Sequence, residues 1–187
     1  MTDHVAALAD FPQRLRTASW FSFVGTPLSA AERGDVAEYT RALGLGDLQI
    51  VEIADWRAAE DCIKQTDWDP GWWNAEDDRR KTLLDQATVK VGDMPLTRAL
   101  TDLSDKVSDI VHGAAAVAAS RGGVADQGLT RSAAGAATMS AYQAAVEKAA
   151  DVDANTDNSG HPFAAKFRLF EAGHWPLCVR AGAFYIF

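Results

Sequence analysis

Between residues 93 and 123 apolar side chains recur in alternating steps of four and three, at Leu96, Leu100, Leu103, Val107, Ile110, Ala114 and Val117. On a helix this spacing gathers them into one stripe, so the segment predicts a long helix with a single buried seam. Its ends are marked as well. Asp93 can cap the start, Pro95 suits a first turn whose N–H groups have no intrahelical partner, and Gly122 and Gly123 can leave the helix with positive φ. After the loop GGVADQG, a second helix is predicted from a cap at Thr130 to about Asp151, with a face of Gly135, Met139, Tyr142, Val146 and Ala149. Small residues on both helices permit close approach, and residues 95 to 151 read as a long antiparallel helical hairpin.

Earlier in the chain, Val5, Leu8, Phe11, Leu15 and Ala18 predict a short helix with Pro12 in its first turn and Asp10 as its cap. The aromatic residues Trp20, Phe21 and Phe23 follow it into the core. Ser29 and Glu32 form a capping box, which predicts a helix over 30–43 closed by Gly44, with Val36, Tyr39, Thr40 and Leu43 on its inner face. The run from Leu48 to Ile53 is too brief for periodicity to decide; we read it as irregular, with a helix after it over 55–65. Asp69-Pro70 repeats the sequence of cap then proline and opens a helix reaching Val91. At about 100° per residue, Trp73, Arg80, Leu84, Ala87 and Val91 share one side, with Glu76 and Leu83 at its margin.

The texture changes beyond residue 151. Residues 151–162, DVDANTDNSGHP, have no apolar anchor and read as an exposed connection. From Ala165 onward, aromatic and branched residues are punctuated by Ala-Gly at 172–173 and 181–182, which predicts a three-stranded antiparallel meander. Pro176 cannot donate to a ladder, so a bulge or an edge position is needed there. The whole is then an α+β protein, mainly α-helical: a helical part over 1–151, an exposed loop over 152–164 and a small β-meander over 165–187, in one domain. No internal repeat is visible.

Composition narrows the function classes. With 187 residues, 48% hydrophobic and 24% charged, the chain is long enough to bury a core without staples. No apolar run approaches a membrane span and the start lacks a basic and then apolar leader, so the expectation is a cytoplasmic protein that neither enters nor crosses a membrane. A net charge of −8 with scattered Lys and Arg argues against nucleic acid as a partner. Cys62 and Cys178 form no CxxC pair; two buried reduced thiols are the simple reading and a single disulfide the alternative.

No Gly-rich phosphate loop, nucleophile elbow or HExxH motif is present, and no cofactor or metal is called for. Asp151, Asp153, Asn155 and Asp157 begin like a calcium loop, but Thr156 and Pro162 stand where the turn glycine and the bidentate glutamate belong. Asp105, Asp109 and His112, opposite the leucine stripe, could offer an imidazole with carboxylates; the same stripe also serves simply to solvate an amphipathic helix. Glu76 and Arg80, an i to i+4 pair beside Trp72 and Trp73, sit where desolvation makes charge costly, unless they are a rim pair with snorkelling side chains. We therefore expect a binding protein for a small molecule or a protein partner. Its site would lie between the helix at 70–91 and the C-terminal sheet, with Trp72, Trp73, Arg80, His174 and Trp175 contacting the ligand. The alternative is a cofactor-independent enzyme using Glu76, or Asp109 with His112, in acid or base chemistry. Association into a homo-oligomer through the alanine face is a third reading.

Overall fold

A computed structural model describes Leu8, residues 11–150 and residues 160–187. The described chain is mostly helical, with seven α-helices and one small mixed sheet. Helix α1 spans Phe11–Thr17 and α2 spans Ala30–Ala42; strand β1 is Gln49–Glu52; α3 is Trp56–Lys64, α4 Pro70–Val91, α5 Asp93–Arg121, α6 Gln127–Ala150 and α7 Pro162–Glu171; β2 is Pro176–Arg180 and β3 Ala183–Ile186. None of these helices is long and apolar enough to cross a membrane.

Helix α6 is the element around which the other long helices gather. It packs against α4, α5 and α7, and its buried residues include Ala133, Ala137, Ala141, Ala144 and Ala145, whose small side chains let the surrounding helices come close. The alanine surface is thus spent inside the chain. Asp126 supports its start by accepting from Gly128 N and Leu129 N. The inward face is only partly the expected one: Val146 and Ala149 are buried, but Gly135 and Met139 are exposed, and Ser140, Gln143 and Glu147 are buried in addition.

The α5 seam follows expectation through Val107, then turns. Leu96, Leu100, Leu103 and Val107 are buried, but the continuation is Val111, Ala115 and Ala119, in steps of four, and Val117 is 51% exposed. A run of steps of four rotates around a helix of 3.6 residues per turn, so the seam drifts sideways as it ascends.

The C-terminal region corrects the expected meander. Residues 162–171 form α7, opened by Pro162 and ended where Gly173 takes φ 100°. Phe163, Phe167 and Phe170 recur at helical spacing and are all buried. Only β2 and β3 pair antiparallel; the third strand is β1, which joins β3 in parallel register with Ile50 opposite Phe184, giving the order β1-β3-β2. The segment read as irregular, 48–53, therefore supplies that strand. It pairs through the N–H of Ile53 to Ile186 as well. Pro176 begins the edge strand β2, and the register slips between Pro176 and Cys178, the bulge its missing N–H requires.

Helix α2 ends as expected. Its capping box is present, with Glu32 N donating to Ser29 Oγ and Ser29 N to Glu32 Oε2, and Tyr39 on its inner face is fully buried. Arg168 of α7 reaches both Asp35 (2.7 Å) and Glu38 (2.6 Å), which docks α7 on α2. Trp20 and Phe21 enter the core, whereas Phe23 is 50% exposed. The expected cap Asp10 and the acidic stretch Asp151, Asp153, Asn155 and Asp157 lie outside the described residues.

Candidate functional site

A pocket of about 620 Å³ opens between α4 and the C-terminal strands. One wall is α4, carrying Trp72, Trp73, Glu76, Asp77 and Arg80, with Trp68 just before it; the opposite wall is Pro176, Leu177 and Cys178 of β2 and Phe184 of β3. Tyr39 of α2, Ala136, Met139 and Gln143 of α6 and Lys166 of α7 complete it. The walls are fixed to each other near the α4 start, where Asp69 caps the helix by accepting from Gly71 N while its own N–H donates to Val179 O (2.9 Å).

Glu76 is the polar centre of this pocket. It is buried at 7% exposure, and three donors converge on it: Lys166 Nζ (2.6 Å) and Gln143 Nε2 (2.8 Å) on Oε1, and Tyr39 OH (2.8 Å) on Oε2. Trp72 Nε1 donates in turn to Tyr39 OH (2.7 Å). Burial pushes the Glu76 carboxyl up, but the Lys166 ammonium and the hydrogen bonds from Lys166, Gln143 and Tyr39 outweigh it, leaving Glu76 below its ordinary value. The same burial, with the adjacent Glu76 charge, drives the Tyr39 hydroxyl well above its usual range. A carboxylate held ionised by three donors is a weak base, so the cluster is better suited to fixing a geometry than to moving protons.

Arg80 does not pair with Glu76. Its guanidinium bonds Asp77 at 2.6 Å, and both side chains are about one-third exposed at the pocket rim; Lys81 holds the other oxygen of Asp77 at 2.5 Å. The helix is rotated relative to expectation, so Trp72 is buried and Trp73 is 58% exposed. Tryptophans 68, 72 and 73 meet edge to face, with centroids 6.4 Å and 6.0 Å apart, which leaves aromatic faces along the mouth.

The other expected site residues lie elsewhere. His174 is buried under α2, with Nε2 3.6 Å from Glu32, and burial lowers its pKa despite the nearby carboxylates Glu32 and Glu52. Trp175 packs on Trp56 and Phe21 in the core. Neither lines the pocket. Asp105, Asp109 and His112 are exposed on α5, and His112 Nδ1 meets the carbonyl of Ser108 (2.8 Å) rather than an aspartate. Among the described residues, no three His, Cys, Asp or Glu side chains converge as metal ligands.

Tyr39, Gln143 and Lys166 were missed as a group, although each left a trace. Lys166 stands among Phe163, Phe167 and Phe170, and Gln143 lies in a stripe with Ser140 and Glu147 inside an alanine run. A polar residue on an apolar arc marks a buried polar contact once the element is known to be a helix. No protein-family model, curated protein or solved structure matches this chain, so function has to be argued from its own geometry.

Proposed function

We propose that the protein binds a small, uncharged, largely aromatic molecule in the pocket between α4 and the C-terminal strands. The observation that carries this reading is the charge balance of the lining. Glu76 is neutralised by Lys166 and Asp77 by Arg80, each within 2.6 Å, while most of the remaining wall is Trp, Met, Pro, Leu and Phe. A charged ligand would have to compete with these ion pairs among the described lining residues and would lose its hydration, whereas a planar apolar one gains contact with three tryptophans. Size agrees, since a pocket of about 620 Å³ falls within the range of small-molecule sites.

Two groups can orient the guest. Lys166 has three donors and spends one on Glu76, so it can donate to a carbonyl or ether oxygen. Gln143 Oε1 is buried without a hydrogen-bond partner among the described residues, and a donor on the ligand would satisfy it at the cost of a small side-chain shift.

The test is titration of intrinsic tryptophan emission with a panel of neutral bicyclic and tricyclic aromatics bearing one acceptor oxygen, in the wild type and in Trp73→Ala. A saturable change, weakened in Trp73→Ala, is expected. Emission that stays flat across the panel while calorimetry is also silent would sink the proposal.

A further inference from the structure

Cys62, on the buried face of α3, and Cys178, on β2, lie 116 residues apart in sequence, yet their sulfur atoms are 3.7 Å apart. We infer that these two thiols form a reversible intramolecular disulfide, and that closing this bond reshapes the ligand pocket through the bulge in β2. The consequence for the ligand rests on the binding reading above; the bond itself does not.

The sulfurs already touch, and a disulfide of about 2.05 Å needs an approach of under 2 Å. The slack for that movement is in the right place. Strand β2 slips register between Pro176 and Cys178, and a bulge is where a strand bends without breaking a continuous ladder. Pro176, Leu177 and Cys178 are also the β2 contribution to the pocket wall, so a displacement of Cys178 toward α3 is a displacement of that wall.

The two thiols share one contact in which either sulfur can donate, and the positive charge of Arg180 favours ionisation of both. Cys178, which borders the pocket, is the sulfur a reagent meets first. As a thiolate it displaces one thiolate from a low-molecular-weight disulfide RSSR to give the mixed disulfide. Cys62, losing its proton to the departing RS⁻, then attacks the Cys178 sulfur and releases the second RS⁻, which takes the proton that ionisation of Cys178 set free. Two protein thiols and one RSSR become one protein disulfide and two RSH. Both cysteines are almost fully covered, at 4% and 1% exposure, but Cys178 borders the pocket, which supplies a route for the reagent.

The experiment equilibrates the full-length protein with glutathione buffers of increasing oxidised fraction, quenches in acid, and counts thiols by alkylation under denaturing conditions and intact mass. Two free thiols falling to none, with no retained glutathione, a Cys62 to Cys178 linked peptide and full reversal by dithiothreitol, is the expected result. Cys62→Ser and Cys178→Ser should each stop at a single glutathione adduct. Thiols that persist in the wild type through the most oxidised buffer, or stable adducts on it, overturn the bond. The second measurement compares reduced and oxidised protein by intrinsic tryptophan emission, and by titration with the best compound of the aromatic panel. Closure should alter the emission of the wild type and shift the dissociation constant by roughly fivefold or more, the scale of an ordinary coupling between sites. Unchanged emission in a protein whose thiols have disappeared overturns the coupling to the pocket. If no compound binds either form, the ligand reading fails while the thiol count and the emission still decide this one.

Discussion

Lys166 and Glu76 share a site that neither could occupy alone. Their side chains are 12% and 9% exposed, and a single buried charge without its partner costs several kcal/mol. Lys166→Met should therefore destabilise the protein by about 3 to 5 kcal/mol in urea unfolding and raise the Glu76 pKa, because burial would then act unopposed. The double variant Lys166→Met/Glu76→Gln should recover part of the loss, since both charges leave together. Additivity of the two single changes would mean that the pair is not coupled. Arg80 offers the contrast. Its bond to Asp77 is solvent-screened at the rim, so Arg80→Ala should move stability by no more than about 1 kcal/mol. Charges in the apolar arc of α4 pointed to a costly carboxylate at Glu76, which is buried, but its partner could not be read locally, because Lys166 stands 90 residues away.

At the scale of elements, what was legible depended on whether the signal was local. The Ser29 and Glu32 box and the Asp69-Pro70 start depend on groups within one turn, and both are found where the residues imply. Faces were harder. On α4 the inward residue is Trp72 rather than Trp73, and on α5 the seam turns to Val111, Ala115 and Ala119, because neighbouring helices rather than periodicity decide which edge of an apolar arc is covered. The C-terminal helix was hidden for a different reason: α7 is rich in phenylalanine, which strands also favour, and periodicity over ten residues could not outvote that composition. The drift of the α5 seam is directly testable. Ala115→Val, at a site with no exposure, should cost about 1 to 3 kcal/mol by overpacking, and Leu103→Ala about 2 to 5 kcal/mol by leaving a cavity. Val117→Ala should stay within about 0.5 kcal/mol because that side chain is half exposed. Equal losses at positions 115 and 117 would restore the original seam. Gly173 makes a sharper demand, since its φ of 100° is unfavourable for any side chain and a Cβ there would lie 3.0 Å from Phe23 N. Gly173→Ala should therefore loosen the junction between α7 and β2, visible as faster amide exchange at Phe23, which donates to the Gly173 carbonyl.

At the scale of the whole molecule, three of the buried groups among the described residues, His174, Glu147 and Glu76, shape how stability responds to acid, and they do not act in the same sense. His174 resists protonation because it is buried, so its folded pKa lies below the ordinary 6.5. As pH falls through 6.5 the unfolded chain takes up a proton that the folded one refuses, and stability is lost from there down to the folded value. Glu147 acts oppositely. Burial raises its pKa above the ordinary 4.5 even though it accepts from Ala164 N at the start of α7. The folded state binds this proton more tightly, so the contribution of Glu147 is fully present below 4.5 and declines as pH rises through its folded value. Glu76, lowered by Lys166, is the last to respond: its stabilisation holds above 4.5 and disappears as pH falls below that. Stability should consequently decline gently from pH 6.5 toward 4.5, where His174 and Glu147 oppose each other, and steeply below 4.5, where Glu76 is forced to protonate without relief. His174→Gln should flatten or reverse the upper limb, and Glu147→Gln should steepen it by removing the opposing group. Urea unfolding of the wild type and both variants at half-unit steps from pH 7 to 3.5 separates these contributions. A Glu147→Gln profile parallel to the wild type throughout would mean that the carboxyl at the α7 start titrates normally in the folded protein.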